Sequence, residues 1–255
     1  MAETVDDLVV LGQAVPERLK DGRTTVCLGG WSPTRGFIRI YPTRLRMDIH
    51  RWDVIRVEVE HNKRDSRPES WKIVGSEKDW DRLYQHVERI GRIENHYEQR
   101  QIVVDNISPC VNSINVARKS LGIIRPARIE KAYFGSNKQY GKPYQRLLFT
   151  ADAEEWARTK HDYPYEPRLR YVCSGCTARR YHDQKVLEWG FFEWMRKHPE
   201  RMEQVWENVK LYSEKHEIYL FVGNQANQRT SFLIISVLPI QKSPQPPPPT
   251  QESLF

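Results

Sequence analysis

The densest set of metal-ligating side chains is Cys173-Ser174-Gly175-Cys176, followed by His182. Two thiolates at this spacing can share one tetrahedral zinc, with an imidazole nitrogen as third ligand. A closed structural site takes a fourth, and Cys27, Cys110, His161 and Asp183 are the candidates. The plainer reading is a tight turn with buried thiols. A thioredoxin-like redox pair has less support, because no strand–loop–helix context frames it.

The same stretch runs on into acids and aromatics, from His182-Asp183 through Glu188 to Trp194. Glu188 is flanked by Leu187, Trp189, Phe191 and Phe192. A carboxylate in an apolar setting holds its proton more tightly, as a general acid or base requires. A helix expected over residues 184–197 would set Asp183 near its positive end. Glu188, Asp183 and His182 are therefore the candidate catalytic residues. Against this, Leu187, Phe191, Trp194 and Met195 fall at core spacing, and Glu188 can simply face water.

Two stretches have the residue types that bind nucleic acid. Between Arg118 and Arg146 eight cationic residues face a single acid, Glu130. Arg128, Lys131, Lys138, Lys142 and Arg146 are interleaved there with Tyr133, Phe134, Tyr140 and Tyr144, so phosphates and stacked bases both find partners. The second stretch follows residue 36. Ile38 and Ile40 point one way along a strand and Phe37, Arg39 and Tyr41 the other, with Arg44, Arg46 and Arg51 close behind. An outward aromatic–cationic face of this kind is how small barrels hold a strand, and a packed domain junction is the alternative. In the late loop around residues 221–229, Asn224 and Arg229 could read base edges.

The elements that must position these groups follow from periodicity. Residues 8–15, 23–29, 36–41, 53–60 and 71–74 read as short strands, and Ile55, Val57 and Val59 alternate with charged residues. Five such strands suggest a small barrel over residues 1–75. Helices are expected over residues 76–91 and 108–122, and a short one near residues 94–100. Strands follow at 127–134, 145–149, 168–173, 217–222 and 231–238, with helices at 184–197 and 200–213. The fold class is α+β: an N-terminal strand-rich barrel-like sheet, then helices packed on a mostly antiparallel sheet over residues 76–240. From residue 241 the composition shifts to Lys-Ser-Pro-Gln-Pro-Pro-Pro-Pro-Thr, a disordered Pro-rich tail.

That tail leads to Gln251-Glu252-Ser253-Leu254-Phe255. Two large apolar residues beyond a stiff spacer have no core to join and suit a partner's pocket. The pentapeptide resembles the peptide that docks bacterial proteins on the replication sliding clamp, with pattern Gln, any residue, Ser or Asp, Leu, Phe. Gln251, Ser253, Leu254 and Phe255 match it, and Glu252 stands where Leu is more usual. The resemblance implies that Gln251 fills a polar subsite and that Leu254 and Phe255 fill an apolar one. The body of the chain resembles prokaryotic proteins of no assigned role. They share a strand-rich start, a Cys-and-His segment before an acidic-Trp helix, and a late Phe-Val-Gly-Asn turn.

The chain has 255 residues, 29% of them charged, and a net charge of +7, a balance that suits a polyanionic partner. No apolar run reaches the roughly 18–20 residues that span a bilayer, and the acidic start lacks a signal peptide's pattern. The expectation is a cytoplasmic, nucleoid-associated protein with DNA and the sliding clamp as partners and no membrane. No Gly-Lys-Ser/Thr phosphate loop is present. A metal-independent base-excising enzyme of the DNA glycosylase type, in bacterial repair or antiphage defence, fits the residue types. It needs no cofactor beyond a structural zinc. A non-catalytic DNA- or RNA-binding adaptor and a nuclease are the alternatives.

Overall fold

β1 (Ala2–Gln13), β2 (Glu17–Arg18), β3 (Thr24–Ser32), β4 (Gly36–Thr43), β5 (Asp53–His61) and β6 (Ser70–Ile73) open the chain. The computed structural model describes residues 2–19, 21–45, 47–141, 158–176 and 181–246. Five of the six strands close a barrel in the order β1-β3-β4-β6-β5-β1, antiparallel at every seam except β4–β6. This is a five-stranded Greek-key barrel with the OB-type path. β1 closes it by pairing first with β5 and then with β3. Register shifts between Val5 and Leu8 and between Val10 and Gly12 bend it round the corner. Val5, Leu8, Val10, Ile38, Ile40, Ile55, Val57 and Val59 fill the interior.

The helix expected over residues 76–91 is replaced by a 3-10 turn, Trp80–His86, and a strand, β7 (Val87–Arg92). Trp80 and Leu83 are buried as expected, but Tyr84 and Ile90 are exposed. β7 pairs with the half of β5 that β6 leaves uncovered, and Arg56 and Glu88 form a cross-strand ion pair. The barrel's sheet therefore continues past residue 75 to Arg92.

Then come α1 (His96–Val104), capped by the Asn95 side chain, β8 (Ile107–Ser108), α2 (Val111–Val116), β9 (Leu121–Ile124) and β10 (Pro126–Ser136). β11 (Tyr165–Cys173), β12 (His182–Lys185), α3 (Trp189–Lys197), α4 (Gln204–Asn208), β13 (His216–Gln225) and β14 (Gln228–Gln241) follow. One sheet runs β14-β13-β9-β8 and the other β10-β11-β12, all antiparallel except β8–β9. The fold is α+β, with few helices set against these sheets. Three further expected helices differ from the structure. The second is only α2, capped by Cys110, and Leu121 and Gly122 belong to β9, where a Cβ on Gly122 would sit 2.5 Å from Ile114. Residues 184–197 divide into β12 and α3, because Gln184 and Lys185 pair with β11. Residues 200–213 hold a 3-10 turn and α4 alone. The strand expected at 145–149 lies outside the described residues. Among the described residues no helix is long and apolar enough to cross a membrane.

Leu8–Leu11 is an unbroken apolar run because both faces of β1 are buried. Leu8 and Val10 fill the barrel. Val9 and Leu11 point outward into a cluster with Trp52, Ile123, Tyr219, Phe221 and Ile235. Phe37 of β4 stacks on Phe221 of β13 with centroids 5.8 Å apart. A Cβ on Gly29 would lie 2.5 Å from the Phe221 ring, so glycine is required there. The β3–β4 face, which binds oligonucleotides in barrels of this class, is thus covered by the second sheet. Arg39 and Tyr41 are consequently at a domain junction.

Candidate nucleic-acid interface and cysteine–histidine cluster

β11 alternates apolar and charged residues, and the alternation sorts them onto two faces. Leu169, Tyr171 and Cys173 enter the core, while Glu166, Arg168 and Arg170 take the other face. Tyr133 lies opposite Arg168 and Lys131 opposite Arg170 on β10, and Lys185 and Asp183 complete the rows on β12. Asp183 accepts from the Tyr133 hydroxyl at 2.8 Å, from Arg168 Nε at 3.0 Å and from Arg170 Nη2 at 3.1 Å. Burial pushes its pKa up, but these donors outweigh that and hold it below the ordinary aspartate value. Asp183 is therefore an acceptor-saturated anion in a strand. It does not sit at a helix end, and it is not poised to donate a proton. The Lys131 ammonium lies 5.1 Å from the Tyr133 ring centre, and the Arg170 guanidinium 4.2 Å above Tyr181.

This face runs into a cleft of about 650 Å³ between the barrel and the second domain. Glu166 and Lys185, which form an ion pair with each other, belong to both. From the barrel side come Glu17, Cys27, Arg39, Tyr41 and Arg67, and from the other Lys160 and Asn224. Arg67 donates to Asp65 and, through Nη1, to the Asn224 carbonyl at 2.6 Å. Burial would raise the Asp65 pKa, yet Arg67 and the Ser70 hydroxyl bring it down to about 2. Burial also pushes up the Tyr41 hydroxyl and the Cys27 thiol, so both stay protonated. Glu17 pairs with Lys160. The Asn224 side chain donates from Nδ2 to the Arg229 carbonyl at 2.9 Å, and its Oδ1 is buried with no partner among the described residues.

The structure thus gathers Arg39, Tyr41 and Asn224 in one cleft and disperses the other expected binding residues. Arg39 is buried and donates to Ser120. Arg44 bonds Asp81, exposed Arg128 pairs with Glu130, and Arg229 is fastened to Ser66. Lys131, Lys138 and Tyr140 are exposed. Lys142, Arg146, Gln251, Ser253, Leu254 and Phe255 lie outside the described residues. Glu166, Arg168, Arg170 and Lys185 were missed by the sequence reading: Arg168 and Arg170 alternate with apolar residues in the strand expected at 168–173, whereas Lys185 fell in the helix expected over 184–197.

The three catalytic candidates occupy three separate environments. Glu188 lines a second cavity, of about 580 Å³, where Oε1 accepts from Arg51 Nη1 at 3.3 Å and Oε2 from the Val237 N–H at 2.8 Å. Its aromatic neighbours Phe191 and Phe192 turn into the core. Leu45, Ile49 and Trp189 line the same cavity, while the carboxylate itself is held by these two donors and braces β14 to the barrel's Arg51.

His182 lies in the cysteine cluster. Ligand atoms of Cys110, Cys173 and His182 all stand within 4.8 Å of one another. His182 Nε2 is 3.7 Å from Cys110 Sγ and 3.1 Å from Cys176 Sγ. Burial lowers the His182 pKa and raises that of Cys173 to about 12. Of the four candidates for the remaining ligand, Cys110 is the one that the fold delivers.

A Greek-key barrel packed on a two-sheet α+β domain is the class that these features define. Residues 4–106 match a domain of unknown function, DUF8758, and residues 111–255 match a second, DUF8757. The latter spans more than half of the sequence, and the chain belongs to the DUF8757 family. The two matches part beside β8, beyond β7 and α1, later than the boundary at residue 75 read from sequence. No curated protein matches the chain.

Proposed function

We propose that the protein binds DNA along the β10–β11–β12 face and takes one unstacked base into the adjoining cleft. The reading rests on one observation. A cationic, tyrosine-bearing sheet face continues through Glu166 and Lys185 into a cavity lined by Asn224, whose Oδ1 is buried without a partner among the described residues. Lysine and arginine on the face suit phosphates, and the tyrosines suit base stacking. The cavity falls within the roughly 300–1,000 Å³ of small-ligand sites. An unpaired buried acceptor gains most from a donor such as a base's exocyclic amine or ring N–H.

Excision of the base would need a carboxylate in that cleft. Among the described residues Glu17 and Glu166 are the carboxylates that line it, and both are ion-paired. Glu188 lines the other cavity. Base binding is the function that the geometry supports best, and delivery by the sliding clamp through residues 251–255 belongs to the same proposal.

The test uses oligonucleotides carrying 2-aminopurine, which brightens when unstacked. Binding should raise its fluorescence. Asn224→Leu should suppress the rise while leaving the melting temperature within a few degrees of wild type. No binding at low salt, or an unchanged rise with Asn224→Leu, overturns the reading. Strand breaks after alkali would add excision to binding.

A further inference from the structure

Three segments meet at the cysteine cluster: the residue that caps α2, distant in sequence, the end of β11 with the turn beyond it, and the first residue of β12. We infer that Cys110, Cys173, Cys176 and His182 form a closed Cys3His zinc site that fastens these segments together. Zinc–sulfur bonds of about 2.3 Å and zinc–nitrogen bonds of about 2.0–2.1 Å put the ligand atoms of a tetrahedral site roughly 3.3–3.8 Å apart. The 3.7 Å from His182 Nε2 to Cys110 Sγ is of that size, the 3.1 Å to Cys176 Sγ is somewhat shorter, and the ligand atoms of Cys110, Cys173 and His182 lie within 4.8 Å of one another, so small side-chain movements close the four groups around an ion.

Two further features point the same way. A backbone N–H is aimed at sulfur: Asn112 N donates to Cys110 Sγ at 3.3 Å. Such donors stabilise thiolates, the form that binds metal. Gly175, between the two close cysteines, packs so near the residue before Cys110 that a Cβ would lie 3.0 Å from the Pro109 Cβ. The knuckle is thus pressed onto the segment that brings the distant cysteine. The Tyr171 ring covers His182 at 5.2 Å between centroids.

Binding Zn²⁺ displaces three thiol protons and leaves the imidazole neutral. Four protein ligands leave no position for water or substrate, so the site is structural. It holds β12, and with it Asp183 and Lys185, in register beside β11.

The test is metal analysis of the full chain, expressed without a metal-binding tag. One zinc per chain is expected. Cys110→Ser and His182→Ala should lose it, while Cys27→Ser and His182→Cys, which keeps four ligands, should retain it. Cobalt added to chelator-treated protein should give thiolate-to-cobalt charge-transfer bands and the visible bands of a tetrahedral ion, whether or not the serine variant folds. Protein that holds no zinc after purification in its presence, full zinc in Cys110→Ser, or cobalt spectra without thiolate bands would each overturn the assignment.

Discussion

Arg39 grips Ser120 twice, with Nη1 donating to the hydroxyl at 3.0 Å and Nη2 to the carbonyl at 3.2 Å. Ser120 in turn donates from its N–H and its hydroxyl to the Glu69 carboxylate, at 2.9 and 2.7 Å. Barrel and second domain are joined by this chain of charge-assisted bonds and by the apolar cluster around Phe221.

Removing either part should weaken the junction measurably. Arg39→Leu removes two charge-assisted bonds to Ser120, whose carbonyl keeps only its bond from the Asn224 N–H at 3.0 Å, and should cost about 1.5–3 kcal/mol, the worth of a hydrogen bond to a charged group. Phe221→Ala empties the space between Phe37 and Gly29 and should cost about 3–5 kcal/mol. Denaturant melts of both variants check this. Wild-type midpoints for both would show that the domains are held by something else.

Asp65 gives the junction an acid limb. Its pKa falls from an ordinary aspartate value of 3.8 to about 2 in the folded protein, because Arg67 and Ser70 outweigh burial. A depressed pKa contributes stability that is fully present above the unfolded value and lost as pH falls through the folded one. The contribution should therefore disappear between about pH 4 and pH 2. Asp65→Asn should be less stable at neutral pH and show a flatter acid limb. A parallel pair of stability curves would place the acid sensitivity elsewhere.

Much of the barrel was legible because its strands alternate. Ile55, Val57 and Val59 declare an inside, and the turns between strands are marked by Gly and Pro. The segment after residue 76 misled because Trp80, Leu83, Val87 and Ile90 fit a helical stripe, yet the uncovered half of β5 recruits Val87–Arg92 as a strand. Glu188 is a related case. Its sequence neighbours are apolar, but its spatial neighbours, Arg51 and the Val237 N–H, come from elements far along the chain. The cysteine cluster was half visible: Cys173, Cys176 and His182 are close in sequence, whereas Cys110 reaches them only through the packing of α2 against the second core.

The outer face of β10 and the loop after it should set the salt dependence of DNA binding. Lys131 and Lys138 are exposed there. Replacing each by Ala should reduce the slope of log affinity against log salt by about 0.9 on duplex, or ~0.7 on single strands, if each neutralises one phosphate. Titrations at several salt concentrations measure it. An unchanged slope in the double variant would remove this edge from the interface.

The segment Gln251–Phe255 should bind a bacterial sliding clamp by itself. Its anchors Leu254 and Phe255 follow a Pro-rich spacer, a composition that favours stiff, extended chain. In short peptide interfaces buried apolar anchors carry most of the energy, so Leu254→Ala and Phe255→Ala should each abolish detectable binding, while Glu252→Leu should strengthen it. Micromolar affinity, about −8 kcal/mol, is the expected scale. Tethering would then act through effective concentration, holding the proposed DNA-binding face near the duplex that the clamp encircles. Deleting residues 251–255 should leave stability and oligonucleotide binding unchanged and weaken function only where DNA is long and replicating. A peptide of residues 243–255 that fails to bind the clamp at high micromolar concentration in a calorimetric titration would end this part of the proposal and leave the cleft reading intact.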